Sequence, residues 1–80
     1  MIAKTKLVSV RSSMGLSQAR LGARADVHPA NISAIEHRQR PCWPALRKRI
    51  SSVLGIAETE LFNEQGWALE DTSEPLRMAR

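Results

Sequence analysis

His28, Asn31 and Ser33 fall within one short segment, and Arg38 and Arg40 follow close behind. These side chains donate and accept hydrogen bonds and carry positive charge. They do not form the set that covalent chemistry needs. No serine or cysteine has a recognisable base and orienting group to activate it. His28, His37 and Cys42 lack the ligand spacing of a zinc site. No glycine-rich phosphate loop is present. The sequence therefore points away from an enzyme, a metal or a cofactor. It points toward recognition of another molecule by hydrogen bonds and charge.

The elements that must position these residues are legible between residues 16 and 36, LSQARLGARADVHPANISAIE. Leu16 precedes a capping residue, Ser17, and Leu21 lies four positions beyond the cap. Val27 precedes His28, Pro29 takes the first helical position, and Ile32 lies four beyond. An apolar residue before the cap that packs on the fourth helical residue is a hydrophobic staple. Proline at the first helical position sacrifices no intrahelical hydrogen bond. Two stapled helices this close leave positions 25–27 for the turn. That is the spacing of a helix-turn-helix, whose second helix can enter the major groove of DNA.

The charge distribution agrees with a polyanionic partner. Residues 1–57 hold ten Lys or Arg against Asp26 and Glu36, a net charge of +8. Residues 58–80 hold two Arg against six acids, a net charge of −4. A basic body attracts polyanions through its whole field. Arg47, Lys48 and Arg49 are consecutive and cannot share one helix face. Arg20 and Arg24 lie one helical turn apart. Eighty residues make at most one domain. The single cysteine, Cys42, excludes an intramolecular disulfide and suits a reducing cytosol. No apolar run is long enough for a bilayer, and polar residues interrupt any signal-peptide core at the N-terminus. A cytoplasmic protein with no membrane partner is expected.

Apolar periodicity supplies the other helices. Leu7, Val10 and Met14 share a stripe over 4–14, and Gly15 ends that helix. The next two helices span 17–25 and 29–37, with Leu21, Ala25, Ile32 and Ile35 inward. After a loop at 38–43, Leu46, Ile50, Val53 and Leu54 define a helix over 44–54 that Gly55 ends. A short helix over 58–62 brings Leu61 and Phe62 to the core. Trp43 is expected to anchor the start of the fourth helix in the core. Trp67 lies beyond the last helix and is expected against a second subunit.

With these residues in hand, the chain from about 7 to 62 resembles the Cro/repressor-type helix-turn-helix family, also called the xenobiotic-response-element family. The resemblance rests on Leu16-Ser17-Gln18, Leu21, Ala25, Val27, Ile32-Ser33, Ile35-Glu36, Leu54-Gly55-Ile56 and Leu61-Phe62. It implies an all-α, lambda-repressor-like fold of four to five short helices over residues 1–62. Residues 63–80 then form an acidic C-terminal tail, loosely ordered or associated with a dimer.

The resemblance also implies roles. Gln18 matches the glutamine that contacts a phosphate and braces the recognition helix. Arg11 and Glu36 match a structural salt bridge between the first and third helices. Two positions depart from the pattern: Asp26 stands where the turn usually has glycine, and Arg38 where glycine commonly ends the third helix. The face expected to read bases offers His28, Pro29, Ala30, Asn31, Ser33 and Ala34. Its prolyl and alanyl members cannot hydrogen-bond to base edges but can touch a thymine methyl. Ser17, Arg38 and Arg40 are expected at phosphates. The function implied is a sequence-specific DNA-binding transcriptional regulator, a repressor, working as a homodimer on double-stranded DNA. An antitoxin or adaptor that uses the fold chiefly to bind a protein partner is the competing class.

Overall fold

The first three helices each begin at a residue whose side chain satisfies an orphan backbone donor. In the computed structural model, which describes residues 4–71, α1 is Lys6–Ser13 and the Thr5 hydroxyl accepts from the Val8 amide at 3.3 Å. The Ser17 hydroxyl caps α2, Gln18–Arg24, by accepting from the Arg20 amide at 3.0 Å. His28 caps α3, Pro29–Glu36, through ring Nδ1, which accepts from the Ala30 amide at 3.0 Å. Trp43 and Ala57 precede α4, Pro44–Leu54, and α5, Glu58–Leu61, without a side-chain cap. These side-chain oxygens and nitrogens replace water at amides that have no helical partner.

The ends of α1, α2 and α3 share one device. The residue after the cap is left-handed, and two backbone bonds close over the last turn. At α2, Asp26 has φ +58°, Val27 N–H reaches Gly22 O at 2.8 Å, and Asp26 N–H reaches Ala23 O at 3.4 Å. At α3, Arg38 has φ +57°, Gln39 N–H reaches Ala34 O at 2.8 Å, and Arg38 N–H reaches Ile35 O at 3.1 Å. Asp26 and Arg38 thus occupy positions where only glycine is free of Cβ strain. At α1 the same place is filled by Gly15, φ +71°.

The core is made from Leu7, Leu16, Leu21, Ala25, Ile32, Ile35, Cys42, Leu46, Ile50, Leu54, Leu61, Phe62 and Ala68. Val10, Val27, Val53 and Ile56 pack around it. Two apolar residues expected inside are not there. Met14 is 45% exposed and Trp43 is 40% exposed. For Met14 the reason is the end of α1 at Ser13: the chain turns away, and Leu16 takes the inward place. Trp43 precedes Pro44, which holds it extended at φ −75°, ψ 157°. Neighbours in extended backbone point to opposite sides. Cys42 faces in, so Trp43 faces out.

Residues 63–71 stay on the domain. Asn63 to Trp67 form a tight turn, with Asn63 Oδ1 accepting from the Gln65 and Trp67 amides at 3.0 and 2.9 Å. Residues 68–71 then run back beside α5 and the start of α1. Leu69 N–H reaches Leu61 O at 2.9 Å, Lys6 N–H reaches Leu69 O at 2.8 Å, and Asp71 N–H reaches Lys4 O at 2.7 Å. Isolated bridges pair Phe62 with Ala68 and Thr5 with Glu70. Ala68 is fully buried, and Trp67 is half-buried within the same chain. This closing segment is a finding that the expected boundary at residue 62 does not contain. The remainder of the acidic tail, 72–80, lies outside the described residues. Among the described residues, no helix is long and apolar enough to cross a membrane.

Candidate nucleic-acid interface

The α2–turn–α3 unit is set by a close approach. An added Cβ on Gly22 would stand 2.6 Å from the Val27 carbonyl oxygen and 3.3 Å from the Pro29 nitrogen. The absence of a side chain there lets the turn fold back over α2. Arg49 on α4 adds a brace from below, with Nε donating to the Ala25 carbonyl at 2.7 Å.

The orientation of α3 is held by Glu36. Its carboxylate accepts from Arg11 Nε at 2.5 Å, from Arg11 Nη2 at 3.1 Å and from Gln18 Nε2 at 2.8 Å. Arg11 Nη1 also donates to the Leu16 carbonyl at 2.8 Å. Glu36 is buried, and a buried carboxylate is tolerable only with its lone pairs occupied and a counter-charge beside it. One side chain on α1, one on α2 and one on α3 therefore meet at a single charged node. Gln18 spends one amide proton there and keeps a second on the same nitrogen.

The outward side of α3 carries His28 and Ala30, exposed, with Pro29, Asn31, Ser33 and Ala34 partly covered. Because Nδ1 of His28 accepts the cap bond, a neutral ring carries its proton on Nε2, a donor. His37 folds back on its own helix, its ring Nδ1 2.8 Å from the Ser33 carbonyl.

The two loop arginines diverge. Arg40 lies against α3: its Nη1 donates to Asn31 Oδ1 at 2.8 Å. Arg38 reaches the closing segment instead, with Nη1 3.3 Å from Glu70 Oε2, both groups well exposed. Arg47 is drawn into the structure, bonded to the Cys42 carbonyl at 2.8 Å and 3.8 Å from Glu58. Lys48, the middle residue of that run, is exposed. Arg20 and Arg24 are exposed on α2, and no side-chain partner meets them among the described residues. Sequence reasoning missed the Arg40–Asn31 and Arg38–Glu70 pairs. No spacing rule signals them, since they cross between separate elements.

The small all-helical fold with α2 and α3 so joined is a helix-turn-helix domain. It is similar to the solved structure of the restriction-modification controller protein C.AhdI from Aeromonas hydrophila. The two share 27% identity over 70% of this chain and 85% of that one, with a TM-score of 0.66. The likeness supports a helix-turn-helix regulator. No protein-family model and no curated protein match the chain.

Proposed function

We propose that this chain is a sequence-specific DNA-binding transcriptional regulator that places α3 in the major groove. The observation that carries the reading is the node at Glu36. It fixes α3 to both α1 and α2 while leaving His28 and Ala30 exposed and Asn31 partly exposed. A prepositioned helix with a free polar face is what groove reading requires. The likeness to C.AhdI, a restriction-modification controller protein by its description, supports the same class.

In this reading, phosphates are held by the second amide proton of Gln18, by Ser17 and by Arg38, with Arg20 and Arg24 adding to the field. Such contacts position the protein, and base contacts give it choice. His28, Asn31, Ser33 and the methyl groups of Ala30 and Ala34 face the base edges. One domain covers few base pairs, so the working unit is a homodimer with recognition helices about 34 Å apart. Occupying a promoter in this way blocks other proteins sterically, and the chain acts as a repressor.

The test is duplex binding measured against salt. About six phosphate contacts give a log–log slope near −5. Amide shifts on titration should centre on residues 28–34. Weak, sequence-indifferent binding, with shifts elsewhere, would favour the protein-adaptor class instead.

A further inference from the structure

We propose that Arg40 and Asn31 act as one hydrogen-bonding unit that selects guanine in the major groove. The proposal rests on the DNA-binding reading and names the base that one part of the surface takes. Its starting point is the 2.8 Å bond from Arg40 Nη1 to Asn31 Oδ1. A guanidinium has five N–H groups and no acceptor. The asparagine must therefore turn its oxygen toward Arg40, and its Nδ2 amide protons point elsewhere.

This commitment changes what Asn31 can read. A free asparagine matches adenine by two bonds, Oδ1 accepting from N6 and Nδ2 donating to N7. With Oδ1 bonded to a cation, an adenine amino group would approach the same atom as the guanidinium. The pair then offers N–H groups from both residues. In the major groove guanine alone presents two adjacent acceptors on one base, N7 and O6. Adenine and cytosine each bring an amino donor, for which the pair keeps only the second lone pair of Oδ1, beside a cation that repels it. Asn31 stands at the third position of α3, partly exposed, and Arg40 is exposed beside it. Arg40 is thus a specificity-determining residue, and Asn31 is both its brace and its companion donor.

Selection from randomised duplexes, followed by sequencing, tests this with the whole chain. The wild type should return a half-site with guanine at one fixed position. Arg40→Ala releases Asn31 Oδ1, so the preference at that position should move to adenine, a change of about 5- to 150-fold in the guanine-to-adenine ratio. Arg40→Lys keeps the charge but loses the planar fork, and should keep binding to random DNA while the guanine preference falls. An unchanged consensus with evenly weaker binding in both variants would make Arg40 a phosphate contact and overturn the proposal, with DNA binding left standing. A wild-type consensus without guanine would overturn it in the same way. No enriched sequence at all with the folded wild type would overturn the DNA-binding reading beneath it.

Discussion

Arg11 and Glu36 are 25 positions apart and face each other through two hydrogen bonds, Nε to Oε2 and Nη2 to Oε1. The Glu36 side chain is 1% exposed. The pair joins the first helix to the third across the second, and Gln18 completes it from between.

Removing one partner strands the other. Glu36→Ala leaves Arg11 largely buried without its counter-charge and should cost about 3 kcal/mol or more. Replacing both, Arg11→Met with Glu36→Leu, should recover most of that loss, because apolar groups of similar volume need no partner. Urea midpoints of the two variants decide it. Equal losses in the single and double variants would mean that packing, not charge, sets the cost.

Gly22→Ala tests the turn. Inside a helix this change ordinarily stabilises by up to about 1 kcal/mol. Here the new methyl would meet the Val27 carbonyl and the Pro29 nitrogen, both backbone atoms that cannot swing aside. The expected sign is reversed, with a loss of about 1–3 kcal/mol. A thermal melt unchanged or raised in the variant would show that α2 and α3 are less closely joined than described.

The Cys42 thiol is buried, and burial pushes its pKa up from 9.0 to about 12, against the opposing pull of Arg47 and Arg49. The folded thiol keeps its proton where the unfolded one has lost it. Its contribution to stability is therefore complete below pH 9 and fades as pH rises from 9 toward 12. Alkylation of Cys42 at pH 8 should be slow in the folded protein and fast after unfolding. Rapid labelling without loss of structure would contradict the burial.

Glu70 competes for Arg38. The pair is exposed, so it adds little to stability. Its expected effect is on binding: an approaching phosphate must displace Glu70. Glu70→Gln should leave the melting temperature nearly unchanged and tighten binding to any duplex. Unchanged affinity in the variant would remove Arg38 from the phosphate contacts.

Several features of the fold are legible in the sequence alone. Ser17 and His28 announced two helix starts, Pro29 fixed the first turn of α3, and the apolar sets at 46, 50 and 54 gave the buried face of α4. The closing segment was not legible. One short extended stretch has no period to detect, and its partners lie at residues 4–6 and 61–62. The Asn63…Gly66 turn is the local signal for it, since Asn and Gly mark such reversals. Trp43 misled because its size suggested burial, whereas alternation beside Pro44 turned it outward.

What the sequence determined by itself was local: caps, helix ends and inward faces, all set by contacts within about five residues and by fixed backbone geometry. Tertiary structure alone decided that Arg40 clasps Asn31, that Arg38 turns to Glu70, and that residues 68–71 seal the start of α1. Those contacts depend on how separately formed pieces are set against one another, and no spacing along the chain encodes that angle.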